Sequence, residues 1–126
     1  MKLRGMRILL VDDVADVRDI LAMLLRMEGA DVVAVGSGRQ AAAIVSRRDF
    51  DVVITDFGLP DVPGDVLITE ILSMARSPLR VVVMTGYGEP YLTRALQRGA
   101  DAVFTKPLEL TSIVEYLQRR DVTASA

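Results

Sequence analysis

The 126-residue sequence contains no cysteine and no histidine. Without cysteine there is no disulfide, no thiol nucleophile and no thiolate metal site. Without histidine the commonest general base and the commonest zinc ligand are missing, and so is any phosphohistidine of the chain's own. Long apolar runs are missing too. The basic opening Met1-Lys2-Leu3-Arg4-Gly5-Met6-Arg7 would suit an export signal, but the run behind it, Ile8–Val11, stops after four residues at Asp12-Asp13. A signal peptide needs roughly 7–15 apolar residues there and a membrane span roughly 18 or more. The expected location is therefore the cytoplasm. Nor is there an excess of charge. A net charge of -2 gives no electrostatic reason to expect direct binding of nucleic acid or of an acidic membrane.

What is present suits one globular domain. Apolar residues make up 51% and charged residues 25%, the balance of a chain with a core of its own. Five short runs rich in β-branched residues read as strands: Ile8–Val11, Val32–Val35, Val52–Ile54, Val81–Met84 and Ala102–Phe104. Helical spacing fills the intervals, over about Val14–Met27, Arg39–Arg47, Asp65–Ala75, Pro90–Arg98 and Leu110–Arg119. The first helix places Val14, Val17, Leu21, Leu24 and Leu25 on one face, and the last repeats Leu110, Ile113, Val114 and Leu117. Gly29 and Gly99 sit where a left-handed residue closes a helix, and Pro90 suits a first helical turn.

Strict βα alternation implies a doubly wound parallel sheet of five strands with helices on both faces. Runs that are apolar on consecutive residues fit strands buried on both sides. The second run, with Ala34 and a preceding Asp31, is expected at an edge. The domain is expected to span 1–126, with a core over about 7–119 and a frayed tail at 121–126.

Open parallel sheets bind ligands beyond the carboxyl ends of their strands. Strand one is followed there by Asp12 and Asp13, strand three by Asp56, strand four by Thr85 and strand five by Lys106. Three carboxylates on one rim repel one another and call for a cation. Oxygen-only ligands point to a hard ion, with Mg2+ the best fit. A phosphoryl group would in turn engage Thr85 and Lys106 while a carboxylate attacks it, since carboxylates form aspartyl phosphates.

Val11-Asp12-Asp13, Thr55-Asp56-Phe57-Gly58-Leu59-Pro60-Asp61-Val62-Pro63-Gly64, Met84-Thr85-Gly86 and Thr105-Lys106-Pro107 resemble the receiver domain of two-component response regulators, in order and spacing, over about Arg7 to Arg119. The resemblance implies a flavodoxin- or CheY-like fold with strand order 2-1-3-4-5. It implies Asp56 as phosphoacceptor, fed by a histidine kinase or histidine phosphotransfer protein, in a domain that catalyses only its own phosphotransfer and dephosphorylation. Mg2+ would be held by Asp13, Asp56 and the backbone carbonyl of Gly58, with Asp12 acting through water. Thr85 would report the phosphoryl group, Lys106 would pair with it, and the Lys106–Pro107 bond is expected cis. The output surface is expected on the fourth helix, fifth strand and fifth helix, with a phosphorylation-dependent dimer among its uses; the output partner is not named by the sequence.

One position departs from the family. Receivers usually carry Tyr or Phe three residues before the lysine; here it is Val103, and Phe104 should face the other side of its strand. The usual aromatic switch is thus expected to be absent, or rebuilt on Tyr87 or Tyr91. The fourth helix is thinly apolar, anchored by Leu92, Ala95 and Leu96, which favours local motion there. Gly58 and Tyr87 are expected to flank the path of hydrolytic water, with Tyr87 as a shield.

Simpler readings stand beside each of these. Asp12 and Asp13 alone suit a helix cap, Asp56 a turn, Thr85 a strand end and Lys106 a snorkelling surface position. Their convergence is what favours chemistry. Asp56-Phe57-Gly58 repeats the magnesium tripeptide of kinases, but the chain is far too short for one. Gly36-Ser37-Gly38-Arg39 lacks the rest of a phosphate loop and reads as a turn and cap. Arg119-Arg120 reads as a charge pair at a helix end. Two rivals to a working receiver remain: a degenerate receiver that only binds, and a flavodoxin-like nucleotide domain, for which no phosphate-cradling loop is present.

Overall fold

The computed structural model describes residues 1–119, so Arg120 and the tail expected to fray lie outside the described residues. Ten elements alternate: β1 (Arg7–Val11), α1 (Ala15–Met27), β2 (Asp31–Val35), α2 (Gly38–Val45), β3 (Val52–Asp56), α3 (Gly64–Met74), β4 (Arg80–Thr85), α4 (Tyr91–Gln97), β5 (Ala102–Thr105) and α5 (Leu110–Gln118). The strands form one parallel sheet in the order β2-β1-β3-β4-β5, with β2 at an edge as expected. No helix among the described residues is long and apolar enough to cross a membrane.

Alternation along each strand divides the apolar residues between two layers. Ile8, Leu10, Val52, Ile54, Val82 and Met84 pack with Leu21, Leu25, Ile113 and Leu117 of α1 and α5. Leu9, Val53, Val81 and Val83 face α2, α3 and α4 through Ala41, Leu67, Ile68, Ile71 and Ala95. The central strands are fully buried, so each of these side chains contributes roughly 1.5–3 kcal/mol relative to exposure. This two-sided burial makes the strand ends rigid supports for whatever follows them.

Gly29 and Gly99 close α1 and α4 at φ 95° and 114°, where a side chain would be strained. Gly64 is required for a different reason: a Cβ there would stand 2.3 Å from the carbonyl oxygen of Phe57. That close approach lets α3 begin directly against the loop behind β3.

Three local expectations shift. Val14 and Val17 are exposed, and α1 buries Leu21, Ala22 and Leu25 instead. The first turn of α1 starts level with the loop after β1, so no strand lies beneath it. In α4 only Ala95 is fully buried while Leu96 is half-exposed, because the seven-residue helix offers the sheet a single residue at its point of closest approach. Pro90 stands just before α4, behind a cis bond from Glu89, with helical structure starting at Tyr91.

Candidate functional site

Strand register gathers the polar residues. Asp56 ends β3 opposite Met84, so Thr85 lies one step further along β4; Thr85 in turn pairs with Thr105, which places Lys106 one step beyond β5. Backbone bonds continue the ladder past the strand ends, with Phe57 N–H donating to Met84 O at 2.9 Å and Lys106 N–H to Thr85 O at 2.8 Å. At the end of β1, Asp12 N–H donates to Val35 O at 3.2 Å. All five side chains picked out by the strand-end rule thus lie on one rim.

Carboxylate oxygens of Asp12, Asp13 and Asp56 lie within 4.8 Å of one another. Asp12 and Asp56 are buried and Asp13 is exposed. Asp12 Oδ1 accepts a hydrogen bond from Val14 N at 2.9 Å, whereas Asp12 Oδ2 is buried without a partner. A buried carboxylate oxygen left unmatched costs free energy. Burial pushes the Asp12 carboxyl above the usual carboxylate range; the Val14 N–H and Lys106 pull it down, and the charges of Asp56 and Asp13 push it up again. An all-oxygen cluster with one orphaned buried oxygen fits a small divalent cation such as Mg2+.

Lys106 Nζ donates to Asp56 Oδ2 at 2.7 Å. Partial burial disfavours the ammonium charge, but the hydrogen bond and the charges of Asp56, Asp12 and Asp13 outweigh it and raise the pKa above the ordinary lysine value. The bond following Lys106, to Pro107, is cis as expected. Thr85 is buried, and its hydroxyl accepts from Tyr87 N at 3.1 Å. Its oxygen is therefore engaged by its own loop and not by Asp56. The recess at the rim is walled by Asp56, Gly58, Thr85, Gly86, Tyr87 and Lys106.

Residues 8–118 match the family model of the response regulator receiver domain. The chain belongs to this family. The receiver is 29% identical over 114 residues to sporulation initiation phosphotransferase F of Bacillus subtilis, covering 90% of this chain and 91% of that protein. Two other curated relatives, from Pseudomonas aeruginosa and Escherichia coli, are longer, and the chain spans 24% of their length. A response regulator protein from Burkholderia pseudomallei, solved with a phosphorylated aspartic acid, calcium ion and citrate, superposes with a TM-score of 0.82 at 26% identity, over 96% of this chain and 72% of that one. The receiver domain of a sensor histidine kinase from Pseudomonas aeruginosa PAO1, with a magnesium ion coordinated in its active site cleft, gives 0.83 at 26% identity over 91% and 96%. The fold read from the sequence, five parallel strands in the order 2-1-3-4-5, is the observed one.

Three contacts around the site were not legible beforehand. Asp61, a loop residue in the sequence, accepts from Gly38 N at 3.1 Å and Arg39 N at 3.0 Å, capping α2 beside Ser37, whose Oγ accepts from Gln40 N at 3.2 Å. Phe57 meets Tyr91 edge-on at 6.2 Å, and Tyr91 meets Tyr87 at 5.4 Å, so three rings form a wall between β3 and α4. Arg18, on the second turn of α1, donates to the carbonyl of Asp12 at 2.9 Å. An acidic residue near a helix start, an aromatic beside Asp56 and an arginine six residues past Asp12 were the available signals, and none of them names its partner.

Proposed function

We propose that this receiver accepts a phosphoryl group on Asp56, in a Mg2+-dependent relay fed by a histidine kinase or a histidine phosphotransfer protein. The supporting observation is the division of labour at the Asp56 carboxylate. Oδ2 is held by Lys106 at 2.7 Å, which leaves Oδ1 as the nucleophilic oxygen of a residue that lines the recess. Oδ1 attacks phosphorus, forming an O–P bond as the donor's P–N bond breaks, and the electron pair leaves with the donor imidazole. Lys106 offsets the negative charge of the equatorial oxygens, and charge compensation of this kind carries most of the catalysis in phosphoryl transfer. Asp13, Asp56 and the Gly58 carbonyl would hold Mg2+ directly and Asp12 through water; when bound, the ion neutralises carboxylate and phosphoryl charge.

Thr85 reads the new group. Its hydroxyl, which donates to Tyr87 O at 3.4 Å, gains a stronger acceptor in the phosphoryl oxygens, and turning its proton to them moves the loop that leads to α4. Val103 faces the α2-α3-α4 layer while Phe104 packs in the other layer, edge-on to Tyr116 at 5.9 Å. No aromatic ring therefore occupies the family's usual switch position. Phe57, Tyr91 and Tyr87 supply rings on that side, and the thinly packed α4 is the element free to respond. The output surface is α4, β5 and α5, and a cytoplasmic site of action matches a partner that carries phosphohistidine.

Mass measurement after incubation with acetyl phosphate and Mg2+ tests this reading. One phosphoryl group is expected on the wild type and none on Asp56→Asn. A wild type that takes up none would leave a receiver that binds partners without being phosphorylated.

A further inference from the structure

We infer that Arg18 is a positioning residue for the cation site, and that Gly36 is glycine to leave room for it. The inference rests on the Mg2+ reading above and concerns how Asp12 and Asp13 are held. Asp13 is exposed, so its placement depends on the peptide that leads into it. The backbone is fixed on both sides of Asp12, and the bond from Arg18 is the one on the peptide that enters Asp13. Asp12 N–H donates to Val35 O at 3.2 Å, and Asp12 C=O accepts from Arg18 Nη1 at 2.9 Å. The first bond comes from the neighbouring strand, whereas the second is a side-chain bond that spans six residues.

A guanidinium held on a carbonyl sets peptide orientation, because its donors lie in one rigid plane. The same Arg18 nitrogen, Nη1, also meets the turn after β2. A Cβ on Gly36 would stand 2.8 Å from Arg18 Nη1 and 3.6 Å from its Cζ. Real Cβ contacts do not reach 2.8 Å, so an alanine there must displace the guanidinium. Gly36 is not in the left-handed region, and its N–H is already satisfied by Gln40 Oε1 at 3.0 Å. Conformational freedom does not account for this glycine, and the close approach of Arg18 is what a side chain there would disturb.

Charge and positioning predict opposite outcomes. As a mere cation on the rim, Arg18 opposes Mg2+, and its removal would tighten binding. As the anchor of the Asp12–Asp13 peptide, its removal weakens binding. Groups that orient metal ligands typically contribute 10–100-fold in affinity. Calorimetric titration of the full chain with MgCl2 is expected to give about tenfold weaker binding for Arg18→Ala, and a smaller loss for Gly36→Ala. In the double variant Gly36→Ala should add nothing, because the contact it disturbs is already gone. With acetyl phosphate, Arg18→Ala should need more Mg2+ for half-maximal phosphorylation, yet reach a similar rate at saturation.

Unchanged or tighter Mg2+ binding in Arg18→Ala would overturn the inference, as would losses that add in the double variant. Should Arg18→Ala fail to fold, Gly36→Ala decides alone: weaker binding supports the inference, unchanged binding overturns it. A wild type that binds no Mg2+ would instead overturn the metal-site reading, and this inference with it.

Discussion

Asp56 and Lys106, fifty residues apart in the chain, meet at 2.7 Å between Oδ2 and Nζ. Neither is surplus to the other: the carboxylate is buried and the ammonium donates a hydrogen bond to it. On the proposed mechanism the contact has two uses, pairing the carboxylate before transfer and the phosphoryl group after it.

Lys106→Ala is therefore expected to slow phosphorylation from acetyl phosphate by about 10²-fold, the usual scale for losing one charge-stabilising donor. Lys106→Arg should recover only part of this, since the planar guanidinium does not reproduce a point charge. Initial rates of phosphoryl incorporation by mass would decide, and a rate within a factor of two of wild type in Lys106→Ala would remove the lysine from the mechanism.

Asp61 should make α2 sensitive to acid. The backbone N–H groups of Gly38 and Arg39 hold its carboxyl below the usual carboxylate range. A depressed folded-state pKa means stabilisation that is present above the unfolded value of about 3.9 and lost as pH falls through the folded value. Because Asp61 is exposed, Asp61→Ala should cost no more than about 1 kcal/mol at pH 7. Urea unfolding midpoints of the two proteins should differ at pH 7 and converge towards pH 2. A difference that persists unchanged in acid would mean that the charge of Asp61 is not what caps the helix.

The three-ring wall makes a prediction about switching. Beryllofluoride with Mg2+, a phosphoryl mimic, should shift the ring resonances of Tyr87 and Tyr91. Tyr116, packed on Phe104 in the opposite layer, should change far less. Shifts confined to Tyr116, or an unperturbed Tyr87, would show that the signal leaves the site by another route.

Much of this site was legible before any coordinates, for a definite reason. Asp12, Asp13, Asp56, Thr85 and Lys106 each follow a strand that its own composition marks as buried, and a parallel sheet puts all such ends on one edge. Gly29 and Gly99 were equally plain, since φ values of 95° and 114° leave little choice of residue. Less legible were effects that depend on a neighbour's position. Val14 and Val17 have the spacing of a buried stripe, but periodicity says which residues share a face and not where the supporting strand ends. Leu96 is exposed for the same reason, α4 being too short to lay a second residue on the sheet.

The amino-acid sequence by itself determined the alternation of elements, the parallel sheet, the identity of the rim residues and their capacity for a hard cation, because these follow from local periodicity and the charge of named side chains. Only the tertiary structure decided that Thr85 is bonded to Tyr87 N, that Asp61 caps a helix more than twenty residues before it, and that Arg18 grips the Asp12 carbonyl across Gly36. The Asp61 cap and the approach of Arg18 to Gly36 join segments whose separation in sequence sets no distance in space. Packing of the two layers on the sheet sets it instead.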